Sequence, residues 1–167
     1  MRGAIRLNTL QLPDPFLGSS NPLQSRDAVA ALLVLEDGRY IMQLRDRKPD
    51  IFYPGHWGCF GGAVDEGENP LKALKRELSE ELELTIESAV EFTRFEFDFS
   101  RLGQRKVYRL YFEIHVKRVV FDRLVLHEGE AFEAIPGPEL VADRRVTPYD
   151  AFAIWLHMSR RRFRVLR

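Results

Sequence analysis

Apolar residues fill every position from Ala28 to Leu35, and after Asp37-Gly38 the apolar character resumes from Tyr40 to Leu44. Two such runs joined by an Asp-Gly pair, which accepts the positive φ of a tight turn, predict a β-hairpin. The period then changes. Asn69-Pro70 places an N-cap before a proline at the first helical position, and Leu71, Leu74, Leu78 and Leu82 follow at helical spacing, which predicts a helix over about 70–83. Further on, Phe95, Phe97 and Phe99 alternate with Glu96 and Asp98. Tyr108, Leu110, Phe112, Ile114 and Val116 alternate with Arg109, Tyr111, Glu113 and His115. That period of two predicts two longer strands turning near Gly103. Near the end, Thr147-Pro148-Tyr149-Asp150 has the form of a capping box, with Phe152, Trp155 and Leu156 on one helical face.

Hairpins with separated helices predict one mixed α/β domain over 27–159. Pro13, Pro15, Gly18 and Pro22 make the preceding residues, 1–26, an irregular arm, and Arg160, Arg161, Arg162, Arg164 and Arg167 make 160–167 a basic tail. A chain of 167 residues can bury a core without disulfides or a structural metal. Lys plus Arg equals Asp plus Glu at 25 each, so no basic excess points to nucleic acid or to an anionic membrane. The tail is read as favourable charge at a helix C-terminus, with RNA or an acidic partner as the alternative. No apolar run approaches the roughly 20 residues of a membrane span, and Met1 to Leu12 lack the uninterrupted apolar stretch of a secretory signal. A cytoplasmic location is expected, which suits a single cysteine, Cys59, read as buried packing rather than as a nucleophile. A homodimer is left open.

Glu77, Glu80 and Glu81 stand at i, i+3 and i+4, so three carboxylates leave one face of the helix within a turn. Like charges at that spacing repel, and a bound cation reverses the sign; hard oxygen ligands so gathered suit Mg²⁺ or Mn²⁺ beside substrate phosphates. Taken alone, the cluster reads first as the solvated side of an amphipathic helix. The segment around it resembles the Nudix box, G-x5-E-x7-R-E-U-x-E-E-x-G-U with U aliphatic. The matching residues are Gly62, Glu68, Arg76, Glu77, Leu78, Glu80, Glu81 and Leu84, with Glu83 in place of the second glycine. That departure affects the helix exit, where a glycine serves as a left-handed cap, and not the carboxylates.

The resemblance implies a Nudix-like α/β/α sandwich around a mixed β-sheet. It also implies a metal-dependent hydrolase that cleaves a phosphoanhydride bond in a nucleoside diphosphate linked to another group, such as a nucleotide sugar or a nucleoside triphosphate. Carried over by position, it makes Glu77, Glu80 and Glu81 metal ligands with the Gly62 carbonyl, Arg76 their orienting partner and Glu68 an outer support. The base that takes the proton of water is Glu80 or, outside the box, Glu128 or Glu130; His127 reads as a turn residue. Arg45, Arg47 and Lys48 are candidates for substrate phosphates, and Phe52, Tyr53 and Trp57 for stacking on a base or sugar. The alternative is a non-catalytic module of the same fold that senses a ligand or binds a partner. Retention of all three box carboxylates favours the enzyme.

Overall fold

The computed structural model describes residues 24–163, so most of the arm, together with Arg164 and Arg167, lies outside the described residues. In chain order the elements are β1 (Ala28–Leu35), β2 (Tyr40–Leu44), β3 (Trp57–Gly58), α1 (Pro70–Leu82), β4 (Val90–Phe97), β5 (Val107–Val116), α2 (Arg118–Phe121), β6 (Ala131–Ile135), α3 (Gly137–Ala142) and α4 (Pro148–Ser159), and Arg160–Phe163 adds a 3₁₀ turn. The predicted hairpin, the helix after Asn69-Pro70 and the two long strands are all present. The sheet runs β3-β2-β1-β5-β4, with β6 also paired to β2. β1 and β5 are parallel and the other pairs antiparallel, so the sheet is mixed.

β1 is apolar throughout because both its faces are covered. Val29, Ala31, Leu33 and Leu35 join Ala73, Leu74, Leu78 and Leu82 of α1 in one core cluster. Ala30, Leu32 and Val34 join Tyr40, Met42, Tyr111, Leu140, Ala153 and Ile154 under α3 and α4 in the other. The result is the expected α/β/α sandwich. Among the described residues no helix is long and apolar enough to cross a membrane.

α1 begins as its sequence predicts, with the Asn69 side chain accepting from the N–H groups of Leu71 and Lys72. It ends on Glu83 in the left-handed conformation, φ +53°, the position of the family's second glycine. Glu81 falls on the buried stripe of this helix beside Leu78 and Leu82.

α4 departs from the sequence reading in two ways. The Thr147 hydroxyl does not cap the helix; it donates to Asp150 Oδ2 at 2.8 Å. The inward face is Asp150, Ala153, Ile154 and His157, while Phe152 and Trp155, expected to form the apolar face, are 51% and 42% exposed and stack on each other. Two polar side chains can point inward here because they meet partners there. Asp150 meets Arg109 and Tyr111, and the Tyr40 hydroxyl lies 2.7 Å from His157 Nδ1.

Candidate active site

The segment after β3 threads beside the start of β1, with Ala31 N–H donating to Phe60 O and Val29 N–H to Gly62 O. Its glycines are steric requirements. A Cβ on Gly61 would lie 2.4 Å from Val29 O, and one on Gly62 would lie 2.5 Å from the carboxyl carbon of Glu77. The glycine pair thus lets α1 press its carboxylates against main chain.

Those carboxylates occupy three different environments. Glu80 is open to solvent, 3.4 Å from Arg76 Nη1. Glu77 is mostly covered and accepts from Arg76 Nη1 at 2.6 Å. Its burial raises its pKa, against the pull of Arg76, and the nearby charges of Glu80 and Glu128 push the same way as burial. Glu81 is 5% exposed and accepts one hydrogen bond, from Gly61 N–H at 2.9 Å. Burial pushes its pKa up to about 8; the Gly61 N–H works against that shift, and Glu128 and Glu77 add to it.

Arg76 binds Glu68 through Nε and Nη2 and donates to Ala63 O at 3.1 Å, so one guanidinium ties the loop to the helix. The hydrogen bond from Arg76 holds Glu68 below its usual range.

Loop 124–130 closes the cluster from the other side. His127 N–H donates to Glu81 O at 2.9 Å, and His127 Nε2 lies 2.8 Å from Glu83 Oε1. Buried Gln43 donates to Glu128 O at 2.8 Å, and Gly129, at φ +91°, fits where a Cβ would meet Gln43 Cγ at 2.7 Å. Glu128 is the loop carboxylate within electrostatic reach of Glu77 and Glu81, whereas Glu130 pairs with Arg47 at 3.4 Å.

Arg45 donates to Phe52 O and lies within electrostatic reach of Glu81. Arg47 and Lys48 line a neighbouring cavity of about 250 Å³ with Pro49, Pro54, Gly55 and Arg145. Trp57 is not brought to the cluster: it is packed into the α4-side core with Arg144 over its ring. Phe52 and Tyr53 are half-buried. Cys59 is buried, and desolvation raises its thiol pKa, as packing rather than nucleophilic use requires.

Among the described residues no group of three His, Cys, Asp or Glu side chains is pre-assembled to hold a metal ion, and Arg76 engages Glu77 and Glu80. The donor set nevertheless fits a hard divalent cation. Carboxylate oxygens are its main component, and Glu81 is desolvated with a single N–H donor and like charges around it.

Sequence reasoning missed a second polar cluster on the α4 side. Asp150, 1% exposed, accepts from Cys59 N–H, Thr147 Oγ1 and Tyr111 Oη, with Arg109 Nε at 3.3 Å. Its only sequence signal was the capping-box pattern, which assigned Asp150 to the backbone of its own helix.

A mixed sheet between helices, with a carboxylate-bearing helix pressed on a glycine loop, defines the class of domain. Residues 24–163 match the family model described as the NUDIX domain, and the chain belongs to that family. It is 31% identical over 103 residues to a Danio rerio protein named oxidized purine nucleoside triphosphate hydrolase, a match spanning 62% of this chain and 57% of that protein. Among solved structures it resembles the E. coli ORF135 protein, with a TM-score of 0.66 and 23% identity over 88% of this chain and all of that one. It also resembles a MutT protein from Methanosarcina mazei Go1, with a TM-score of 0.65 and 19% identity over 87% and 100% of the two chains. The E. coli dihydroneopterin triphosphate pyrophosphohydrolase gives a TM-score of 0.59 at 21% identity over 80% and 95%. At these identities the structures establish the fold.

Proposed function

We propose that this chain is a divalent-metal-dependent hydrolase that cleaves a phosphoanhydride bond in a nucleoside triphosphate or a related nucleoside diphosphate derivative. The observation that carries the reading is Glu81, a carboxylate buried with one hydrogen bond and with Glu77 and Glu128 adding like charge. Such a group is costly until a cation arrives. Glu77, Glu80 and Glu81, with the Gly62 carbonyl, would hold Mg²⁺ or Mn²⁺. When bound, the ion would neutralise charge on the phosphate oxygens and lower the pKa of water.

Arg76 keeps Glu77 in place and links it to Glu68. Arg45, within electrostatic reach of Glu81, is the cation offered for a further phosphate. In the reaction a water oxygen attacks one phosphorus, the bridging P–O bond breaks, and the water's proton passes to Glu128 or Glu80. The names of two similar proteins, an oxidized purine nucleoside triphosphate hydrolase and a dihydroneopterin triphosphate pyrophosphohydrolase, support a triphosphate over a nucleotide sugar.

The test is release of phosphate or pyrophosphate from nucleoside triphosphates, nucleotide sugars and dinucleoside polyphosphates, with Mg²⁺ or Mn²⁺ and with chelator. Metal-dependent turnover of the triphosphates is expected. No turnover of any class, with ligands still shifting the melting temperature, would favour a non-catalytic ligand-sensing module.

A further inference from the structure

β4 is an edge of the sheet: among the described residues it pairs with β5 and with no other strand. An edge strand carries a row of N–H and C=O groups that its own sheet leaves unpaired, a template for a further strand. The one irregularity of β4 lies between Glu91 and Thr93, so Thr93–Phe97 is a regular edge without proline. Its two faces differ in character. Phe95 packs against Tyr111 and Phe152 on the α4 side, and Phe97, two residues on, shares that side. Arg94 and Glu96 lie on the other side, opposite Leu110 and Tyr108 of β5, and are 51% and 44% exposed.

Beside this edge α4 presents an apolar face. Phe152 meets Phe95 with ring centroids 5.2 Å apart, and Trp155 stacks on Phe152 at 5.8 Å, yet both remain well exposed. His157, further along the helix, meets Phe92 of β4 at 4.9 Å, so α4 runs along the strand. Single exposed aromatics are ordinary on a protein surface, but a contiguous apolar patch continuous with an open strand edge marks a surface for association.

The residues along β4 complement their own copy. Two such strands paired antiparallel about a two-fold axis at Phe95 set Arg94 opposite Glu96 of the second copy and Glu96 opposite its Arg94. On the other face Phe95 meets Phe95, and Thr93 meets Phe97. Moving the axis to Arg94 or to Glu96 sets a charge opposite itself. Moving it to a point between two residues sets Arg94 or Glu96 opposite Phe95 and opposes the two faces of the sheet. Charge and alternation thus select one register.

We propose that this chain forms a two-fold homodimer through β4, antiparallel about Phe95, with Phe152 and Trp155 of the two α4 helices meeting over the joined sheet. The axis stands perpendicular to the sheet, so both α4 helices lie on the same side of it. The strand pair contributes main-chain hydrogen bonds and two crossed Arg94–Glu96 pairs, and the aromatics contribute the apolar area that a stable interface needs.

The test is sedimentation equilibrium of the full chain and of the variants R94E and E96R. The wild type is expected to show twice the 19.5 kDa mass of one chain. Each variant sets like charges opposite one another twice per dimer and is expected to dissociate roughly 10- to 100-fold more readily while still melting cooperatively. An equimolar mixture of the two variants is expected to recover a dimer, because every glutamate at 94 or 96 then faces an arginine. A damaged fold could not be repaired by mixing. A wild type that is monomeric at roughly 100 µM, a dimer indifferent to both variants, or a mixture that fails to reassociate would overturn the proposal. So would a wild type that dimerises only after removal of residues 1–23, which would assign the edge to that segment.

Discussion

Two carboxylates are buried on opposite faces of one sheet, Asp150 at 1% and Glu81 at 5% exposure, and they are treated differently. Asp150 accepts an amide and two hydroxyls and has a guanidinium beside it. Glu81 accepts one amide, and its neighbours Glu128 and Glu77 carry its own sign of charge. The fold can satisfy a buried carboxylate completely, and does so under α4. At α1 the shortfall is local, and it coincides with the glycine loop and with Glu128. Two acids buried to a similar degree thus differ in their partners, not in their burial.

The contrast can be broken at either end. The largest effect is on turnover: E81Q keeps the shape and the Gly61 hydrogen bond but removes the charge, and should lower kcat/KM on the order of 10³-fold in a phosphate-release assay. Near-full activity would remove Glu81 from the metal set. At the other end, D150A strands Arg109 and the two hydroxyls. It should cost about 3–5 kcal/mol, a fall of roughly 10 °C in melting temperature. A loss under about 1 kcal/mol would mean that Asp150 is not the structural member of the pair.

His157 offers a subtler check. It is 1% exposed, its Nε2 is 3.2 Å from Glu113 Oε1, and Arg160 and His115 also lie close by. Burial lowers its pKa, Arg160 adds to that, and Glu113 opposes. The unfolded chain therefore binds its proton more readily. His157's contribution is present above about pH 6.5 and is lost as the pH falls through its lowered folded-state pKa. H157Q should flatten that part of a stability-against-pH curve, and an unchanged slope would assign it to another group. The smallest expected effect is at the helix exit, where E83G relieves a left-handed non-glycine residue worth about 1 kcal/mol but loses the exposed contact with His127. A small gain in melting temperature is expected, and a clear loss would show that the His127 contact outweighs the strain.

The sequence made α1 legible because cap, proline and leucine spacing all agree; it made β1 and β2 legible because two apolar runs flank an Asp-Gly turn, and β4 and β5 because their residues alternate. It singled out Gly62, Arg76 and the three glutamates as candidates because the residues of that motif lie close together in one helix and its loop. It hid the Asp150 cluster because the partners lie 91 residues away at Cys59, 41 at Arg109 and 39 at Tyr111, contacts made only by the finished sheet. For the same reason periodicity placed Phe152 and Trp155 inward. Hydrophobicity cannot show that Asp150 and His157 have partners waiting in the core.

The most direct test of the central claim, that Glu81 is buried in readiness for a cation, is the melting temperature of wild type and E81Q at pH 8, in chelator and in millimolar Mg²⁺. The pKa of Glu81 is raised in the fold, so the wild type loses stability as pH climbs from about 4.5 through about 8, a loss that E81Q escapes. In chelator E81Q should melt higher, by on the order of 2 kcal/mol of stability, and Mg²⁺ should raise the wild type while leaving E81Q nearly unmoved. A wild type that melts above E81Q in chelator and does not respond to Mg²⁺ would contradict the account.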